Sequence, residues 1–424
     1  MNTIFALSSG APPAAIAVVR ISGPQAGTAL ACLSGRPVPA ARMAVLRTLR
    51  GSGGERLDQA LVLYFPAPAT ATGEDLVELH CHGGRAIVAS VEGALTALGC
   101  RRAEPGEFTR RAFQNGRIDL AQAEGLADLL AADTELQRRA ALDLVEGRFS
   151  AQIARWRDAV LRLSAFVEAS LDFADDDGAG ILPPDFNAGL QALADELGEW
   201  LARPRSERLK DGIRVVIAGP PNAGKSTLFN ALLEEDAAII SPEAGTTRDA
   251  LERYVAIAGV PFTLIDTAGL REEGAGEIEL IGIARARAHI AVADIVLWLG
   301  PEGQGPDGGW EIDSRVDADD HIAKQQADYR VSGHTREGLD NLTAALVSEA
   351  RKLLPQPGQL AINDRQAQLI EEAHGALSQA TAAADELVIG EHLRQVRLAF
   401  DRLLGRTATE DMLDTLFSRF CIGK

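Results

Sequence analysis

The chain has 424 residues, 46% of them hydrophobic, which is enough for two to four domains with sizeable cores. Its 42 basic and 60 acidic residues leave a net charge of −18, which argues against a protein that grips nucleic acid unaided through a broad basic surface. No apolar run approaches the roughly 18–20 residues a membrane helix needs, and Met1-Asn2-Thr3 lacks the charged start of a secretion signal, so a cytoplasmic protein is expected.

If RNA is a partner, a local patch or a second protein must supply the positive charge. The four cysteines, Cys32, Cys81, Cys100 and Cys421, form no CxxC pair, which argues against a disulfide framework or a zinc site. Residues 1 to about 118 show short apolar runs broken by Gly and Pro. Ala14–Ile21, Met43–Leu49, Gln59–Phe65 and Leu76–Cys81 read as strands. Ile87, Val88, Val91, Leu95 and Leu98 place a helix after Gly83-Gly84. His80-Cys81-His82 has the composition of a metal cluster. Adjacent side chains on a strand point to opposite faces, so the three are not expected to meet on one ion.

From about 119 the periodicity becomes helical, carried by Leu120, Leu126, Leu136, Leu144, Ile153, Trp156, Val160, Leu163 and Val167. The acidic, Gly-rich stretch Asp175 to Gly180 and then Pro183-Pro184 interrupt it. A further helix reaches Leu201 and ends at Pro204. Residues 212–350 alternate strands with helices, and 363–420 return to helical periodicity. The economical arrangement is one helical domain built from both flanks with an α/β domain inserted between them.

That inserted domain opens with the strand Ile213–Ala218, the loop Gly219-Pro220-Pro221-Asn222-Ala223-Gly224-Lys225-Ser226, and a helix from Thr227. Strand, glycine-rich loop and helix are the context of a phosphate-binding loop. Lys225 is expected to reach the β- and γ-phosphates and Ser226 to ligate Mg²⁺. The strand Phe262–Ile265 leads into Asp266-Thr267-Ala268-Gly269, whose Asp can hold the Mg²⁺ shell and whose Gly admits the γ-phosphate. In Ala244-Gly245-Thr246-Thr247-Arg248-Asp249 a threonine can complete that shell. Together these segments resemble a translational GTPase rather than a generic ATPase. Base recognition is weaker in the sequence. Ser314-Arg315-Val316-Asp317 stands where Asn-Lys-x-Asp is usual. Asp317 keeps the carboxylate for guanine N1–H and N2–H₂, and Arg315 can cover a base face. Ser314 is expected to give up a hydrogen bond that braces the loop. Val331-Ser332-Gly333-His334 is the last loop around the base. The Gly and Asp content of 300–325 leaves open a shortened loop without base contact.

Four further segments resemble one family, the MnmE (TrmE) tRNA-modification GTPases. They are Val19-Arg20-Ile21-Ser22-Gly23; Gly73 to Leu79 running into His82-Gly83-Gly84; Pro105 to Phe113 with Asp119 to Glu124; and Phe420-Cys421-Ile422-Gly423-Lys424. The likeness spans nearly the whole chain. It implies a multidomain α/β plus α fold. An N-terminal α/β dimerisation and folate-binding domain spans 1–118, a helical domain 119–211 and 351–424, and an inserted Ras-like P-loop GTPase domain 212–350.

The resemblance also implies a function. With an MnmG-type flavoprotein, the chain would add a carboxymethylaminomethyl-type group to the wobble uridine of certain tRNAs. The one-carbon unit would come from a 5-formyltetrahydrofolate-type folate. The assembly would be a homodimer, joined into a heterotetramer with the flavoprotein, which would hold most of the tRNA. Arg20, Glu78 and Lys424 match the folate residues, and Arg117 stands where many members have Lys and keeps the charge; apart from the family each reads as an ordinary surface charge. GTP hydrolysis would depend on K⁺, with Asn222 as its side-chain ligand and Ser241, Glu243 and Thr246 supplying the rest. Nucleotide contacts would come from Asn222 to Thr227, with Ala223 and Gly224 between, and from Ser241, Pro242, Glu243, Ala244, Gly245, Thr246 and Thr247. Asp266, Thr267, Ala268, Gly269, Asp317, Ser332 and Gly333 would complete them, with Ser226 and Thr247 on Mg²⁺. Glu279 would position the attacking water, acting with Lys225 and Asn222. Cys421 is either a nucleophile or a small buried residue. The alternative is a regulatory switch GTPase acting in ribosome or complex assembly.

Overall fold

A computed structural model describes residues 2–172, 182–234, 252–267, 285–319, 321–356, 358–407, 409–418 and 420–423. The chain divides into two units, one of 1–127, 145–154 and 400–424, the other of 128–144 and 155–399.

The first unit is built on β1 (Ile4–Leu7), β2 (Ala14–Ser22), α1 (Ala26–Ser34), β3 (Val45–Arg50), β4 (Arg56–Phe65), β5 (Leu76–Gly83), α2 (Arg85–Ala97), β6 (Arg101–Arg102) and α3 (Glu107–Gln114). Its sheet has the order β3-β4-β5-β2-β1-β6. Every pairing is antiparallel except β1 with β6. Alternation decides which face is core. Ala17, Val19 and Ile21 of β2 and Val77, Leu79 and Cys81 of β5 are buried. Against them pack Ala26, Leu30 and Leu33 of α1 and Val91 and Leu95 of α2. The four strands and the helix read from the sequence are present. β1, α1 and α3 were not foreseen: β1 has four residues, and α1 buries mostly small ones.

The C-terminal segment belongs to this unit. Ile422 bridges Pro105, and Ser8 Oγ donates to the Gly423 carbonyl at 2.9 Å. Leu413, Phe417 and Phe420 form a small core with Leu120.

Further along the chain lie α4 (Leu120–Leu130), α5 (Glu135–Val145), α6 (Arg148–Asp172), α7 (Phe186–Leu201), α8 (Ser206–Asp211), β7 (Ile213–Ala218) and α9 (Lys225–Glu234). Next come β8 (Glu252–Ile257), β9 (Val260–Asp266), α10 (285–291), β10 (Ile295–Trp298), β11 (Trp310–Ser314) and β12 (Tyr329–Val331). The last helices are α11 (Leu339–Leu353), α12 (Asp364–Ala382), α13 (Glu386–Leu403) and α14 (Glu410–Phe417). In the second unit α7 packs on α12, and Trp156 meets Trp200 edge to face at 5.2 Å. Asn363 and Gln366 form a capping box that starts α12.

The second sheet has the order β12-β11-β10-β7-β9-β8, parallel apart from β8 with β9. β7 lies in its middle, with Val215, Val216 and Ile217 fully buried, as expected of a strand covered on both faces. Parallel neighbours are usually joined through a helix. Here 299–309 joins β10 to β11 and 315–328 joins β11 to β12, with no helix among the described residues. The Trp298 ring fills part of the space. Side chains at Gly300 and Gly305 would collide with that ring, so the glycines of this run permit the close approach. No helix of the described residues is long and apolar enough to cross a membrane.

Candidate functional site

The centre of the second sheet delivers the phosphate loop. β7 ends at Ala218 and α9 begins at Lys225, so residues 219–224 must reverse direction within a few ångströms. Gly224 does so at φ +87°, where a side chain would press on Arg315 Cγ. Asn222 adopts φ +61°, a left-handed conformation that Asn tolerates better than most residues. Lys225 is buried, and its Nζ donates to the Pro220 carbonyl at 2.7 Å. Ser226 Oγ donates to Asp266 Oδ2 at 2.7 Å. Asp266 is the last residue of β9, beside β7 in the sheet. Thr267 Oγ1 ties that strand end to β7 by donating to the Ile217 carbonyl at 2.8 Å. A helix N-terminus with a hydroxyl and a carboxylate this close is a donor set that suits a hard divalent cation such as Mg²⁺.

The base loop overturns one expectation. Ser314 does brace the site: its Oγ donates to the Ala223 carbonyl at 2.7 Å. Serine suffices because the end of β11 comes close to the phosphate loop. Arg315, at φ +61°, directs Nη1 at the neighbouring Asn222 carbonyl, 3.4 Å away. Two successive residues of the base loop therefore hold two successive carbonyls of the phosphate loop. Asp317 is exposed, and a hydrogen bond from the Ser332 hydroxyl is the largest of the effects that lower its pKa. Ser332 Oγ also accepts from the His334 and Thr335 amides, which fixes the last loop. Gly333 lies against Thr227 on the first turn of α9. Asn222, Ala223, Gly224, Ser314, Arg315, Asp317 and Ser332 thus line one end of the sheet. Ser314→Ala should weaken GTP binding about tenfold, by the worth of one hydrogen bond, with Ser314→Asn close to wild type. Titration with a fluorescent GTP analogue checks this, and equal affinity for Ser314→Ala would show the brace to be idle.

Ser241, Pro242, Glu243, Ala244, Gly245, Thr246, Thr247, Ala268, Gly269, Glu279 and Lys424 lie outside the described residues.

The first unit holds the other candidate residues. Arg20 and Glu78 are direct partners across β2 and β5, with Nη2 to Oε1 at 2.9 Å. Both are about three-quarters buried, and the Arg20 guanidinium lies 6.0 Å from the Phe108 ring centroid. Arg117 Nε donates to the Thr70 carbonyl at 3.1 Å. Sequence reasoning passed over the buried pair beneath, Arg111 with Glu74 at 3.0 Å, although both lie within the motif segments. Ser22 Oγ also donates to Glu74, at 2.8 Å. His80-Cys81-His82 does not converge. His80 turns to Glu78 at 3.4 Å and His82 Nδ1 to Asp58 at 2.8 Å. Burial pushes the Cys81 thiol up to about 12. No cluster suited to a metal occurs among the described residues. Cys421 is exposed.

A P-loop followed by a parallel strand ending in Asp266, with a base loop closing on it, defines the class: a GTP-hydrolysing P-loop protein. Family models described as the MnmE helical domain and the GTP-binding protein TrmE N-terminus match residues 120–421 and 3–117. The tRNA modification GTPase MnmE of Erythrobacter litoralis (strain HTCC2594) is 62% identical over 425 residues, covering 100% of both chains. Proteins of the same description from Novosphingobium aromaticivorans and Zymomonas mobilis subsp. mobilis are 58% and 49% identical, each covering 100% of both chains. The chain belongs to the MnmE family of tRNA modification GTPases.

Proposed function

We propose that this chain hydrolyses GTP, with K⁺ as activator, to drive folate-dependent modification of tRNA wobble uridine. It would act as a homodimer with an MnmG-type flavoprotein, adding a carboxymethylaminomethyl-type group. The observation that carries the hydrolytic part is the joined geometry of Lys225, Ser226, Asp266 and Ser314 around one phosphate loop. The family carries the tRNA part.

Residues 1–118 serve as the dimerisation and folate domain, 119–211 with 351–424 as the helical domain, and 212–350 as the GTPase domain. Lys225 leaves the Pro220 carbonyl to meet the β- and γ-phosphates. Ser226 and Thr247 hold Mg²⁺, which neutralises charge on the phosphate oxygens. Asn222 is exposed, and its left-handed backbone presents its side chain at the loop surface, as a ligand for a monovalent cation requires. Ser241, Glu243 and Thr246 would supply the remaining K⁺ ligands, and a monovalent cation held there would supply positive charge against the charge developing on the phosphates. Pro242, Ala244 and Gly245 line the nucleotide beside them, as do Thr267, Ala268 and Gly269. Glu279 orients the attacking water.

In the first unit Glu78, held by Arg20, accepts hydrogen bonds from an amino-pyrimidinone edge. Arg117 and Lys424 suit the carboxylates of a glutamate tail. The nearness of the C-terminal segment to Ser8 supports including Lys424 in that site. The test is mass spectrometry of tRNA nucleosides after gene deletion, paired with GTP turnover in K⁺ and Na⁺. Loss of the wobble modification and severalfold faster turnover in K⁺ are expected. Unchanged nucleosides sink the tRNA reading, and equal rates in both salts sink the cation site.

A further inference from the structure

The 315–328 connection carries Asp317 past the end of the sheet without the crossover helix that ordinarily supports a loop between parallel strands. An unsupported run of chain pays conformational entropy whenever it is fixed around a ligand. Ser332 bonds the Asp317 carboxyl from one side. Two backbone turns enclose Asp317: the Ala318 amide donates to the Arg315 carbonyl and the His321 amide to the Ala318 carbonyl, each at 3.0 Å. They end on His321, whose Nε2 stands 3.3 Å from Asp313 Oδ1. Asp313 is the β11 residue before Ser314, and its side chain is only 3% exposed. Its Oδ2 has no hydrogen-bond partner among the described residues, with Arg330 Nε 3.6 Å away on the neighbouring strand β12. A buried carboxylate is costly unless paired, so Asp313 draws His321 to one place. Three residues on, the mostly buried Lys324 sets its Nζ 2.6 Å from Glu311 Oε2 and donates to the Trp298 carbonyl at 3.0 Å. The Gln325 and Gln326 amides both donate to the Glu302 carboxylate, at 2.8 and 2.9 Å. The two connections without helices, 299–309 and 315–328, are thereby stitched to each other and to β11.

We propose that His321 and Lys324 are positioning residues for guanine recognition, pinning the 315–328 connection to Asp313, Glu311 and the Trp298 carbonyl so that Asp317 is held in reach of the base. They do from side chains what a crossover helix would do by packing, and a specificity contact is only as selective as the support that fixes its position. The inference rests on the reading that Asp317 meets guanine. Inosine triphosphate lacks the 2-amino group, so the ratio of GTP to inosine triphosphate affinity reads that one contact. The wild type should prefer GTP by about tenfold or more, the worth of a hydrogen bond to a charged group. His321→Ala and Lys324→Met, each measured on the full chain, should bind GTP about tenfold more weakly and bring the preference to about threefold or less. The loss should fall on KM rather than kcat. His321→Gln and Lys324→Arg, which keep a donor, should restore most of the preference. Should His321→Ala not fold, Lys324→Met, which leaves Asp313 and His321 together, carries the same test. A wild-type preference in both disrupting variants, with only the melting temperature lowered, would make the two side chains merely structural and overturn the proposal. Equal affinity of the wild type for the two nucleotides would overturn the Asp317 reading itself.

Discussion

Lys225→Met is expected to lower kcat for GTP by about 100- to 1000-fold, the scale for removing one donor aimed at developing charge. The ammonium is buried beside the phosphate loop and donates to the Pro220 carbonyl there. Swinging from that carbonyl to a phosphate exchanges a neutral acceptor for an anionic one, which favours the bound state. Methionine keeps the length and apolar packing of the stem. The Pro220 carbonyl it abandons belongs to an exposed residue and can bond water. The fold should therefore lose no more than about 1 kcal/mol. Phosphate release under saturating GTP and a thermal melt of the same sample separate chemistry from stability. A kcat within tenfold of wild type would mean that the ammonium does not face the transferred phosphoryl group.

What could be read in advance follows the range of the interactions. The phosphate loop was legible because its constraints are local: a buried strand, glycines at the turn and a Lys-Ser pair opening a helix. β2, β4 and β5 were legible as short apolar runs broken by Gly and Pro. Ser314 was misjudged because its role depends on how near β11 comes to Ala223, a tertiary distance that no spacing encodes. Arg20 and Glu78 each looked like an isolated surface charge, and only the register of β2 on β5 makes them a pair. The Gly- and Pro-rich run after Trp298 was visible as a loop. That it replaces a crossover helix emerges only when β10 and β11 are found side by side and parallel.

Asp317→Asn should exchange nucleotide preference, lowering GTP affinity roughly 100-fold or more while conferring use of xanthosine triphosphate. A carboxylate offers two acceptors, which match guanine N1–H and N2–H₂. Asparagine keeps one acceptor and turns the other into an N–H donor, which opposes the guanine amino group. Xanthine carries a carbonyl at that carbon, so the same asparagine meets it with one donor and one acceptor. A site built around specific hydrogen bonds rejects the mismatched base because its own polar groups are then left unpaired. The pH dependence is set by Ser332, whose hydroxyl leads the effects that hold the Asp317 carboxyl below its ordinary value of 3.8. A depressed pKa means the charge is fully present above that ordinary value and is lost only as pH falls through the lowered one. Guanine selectivity in the wild type should therefore stay level down to about pH 5, with the acid limb of the profile moving upward in Ser332→Ala. Competition of GTP, ATP and xanthosine triphosphate for the asparagine variant decides the question. Undiminished GTP preference would place the base outside the reach of Asp317 and return residues 315–328 to the role of a plain connection.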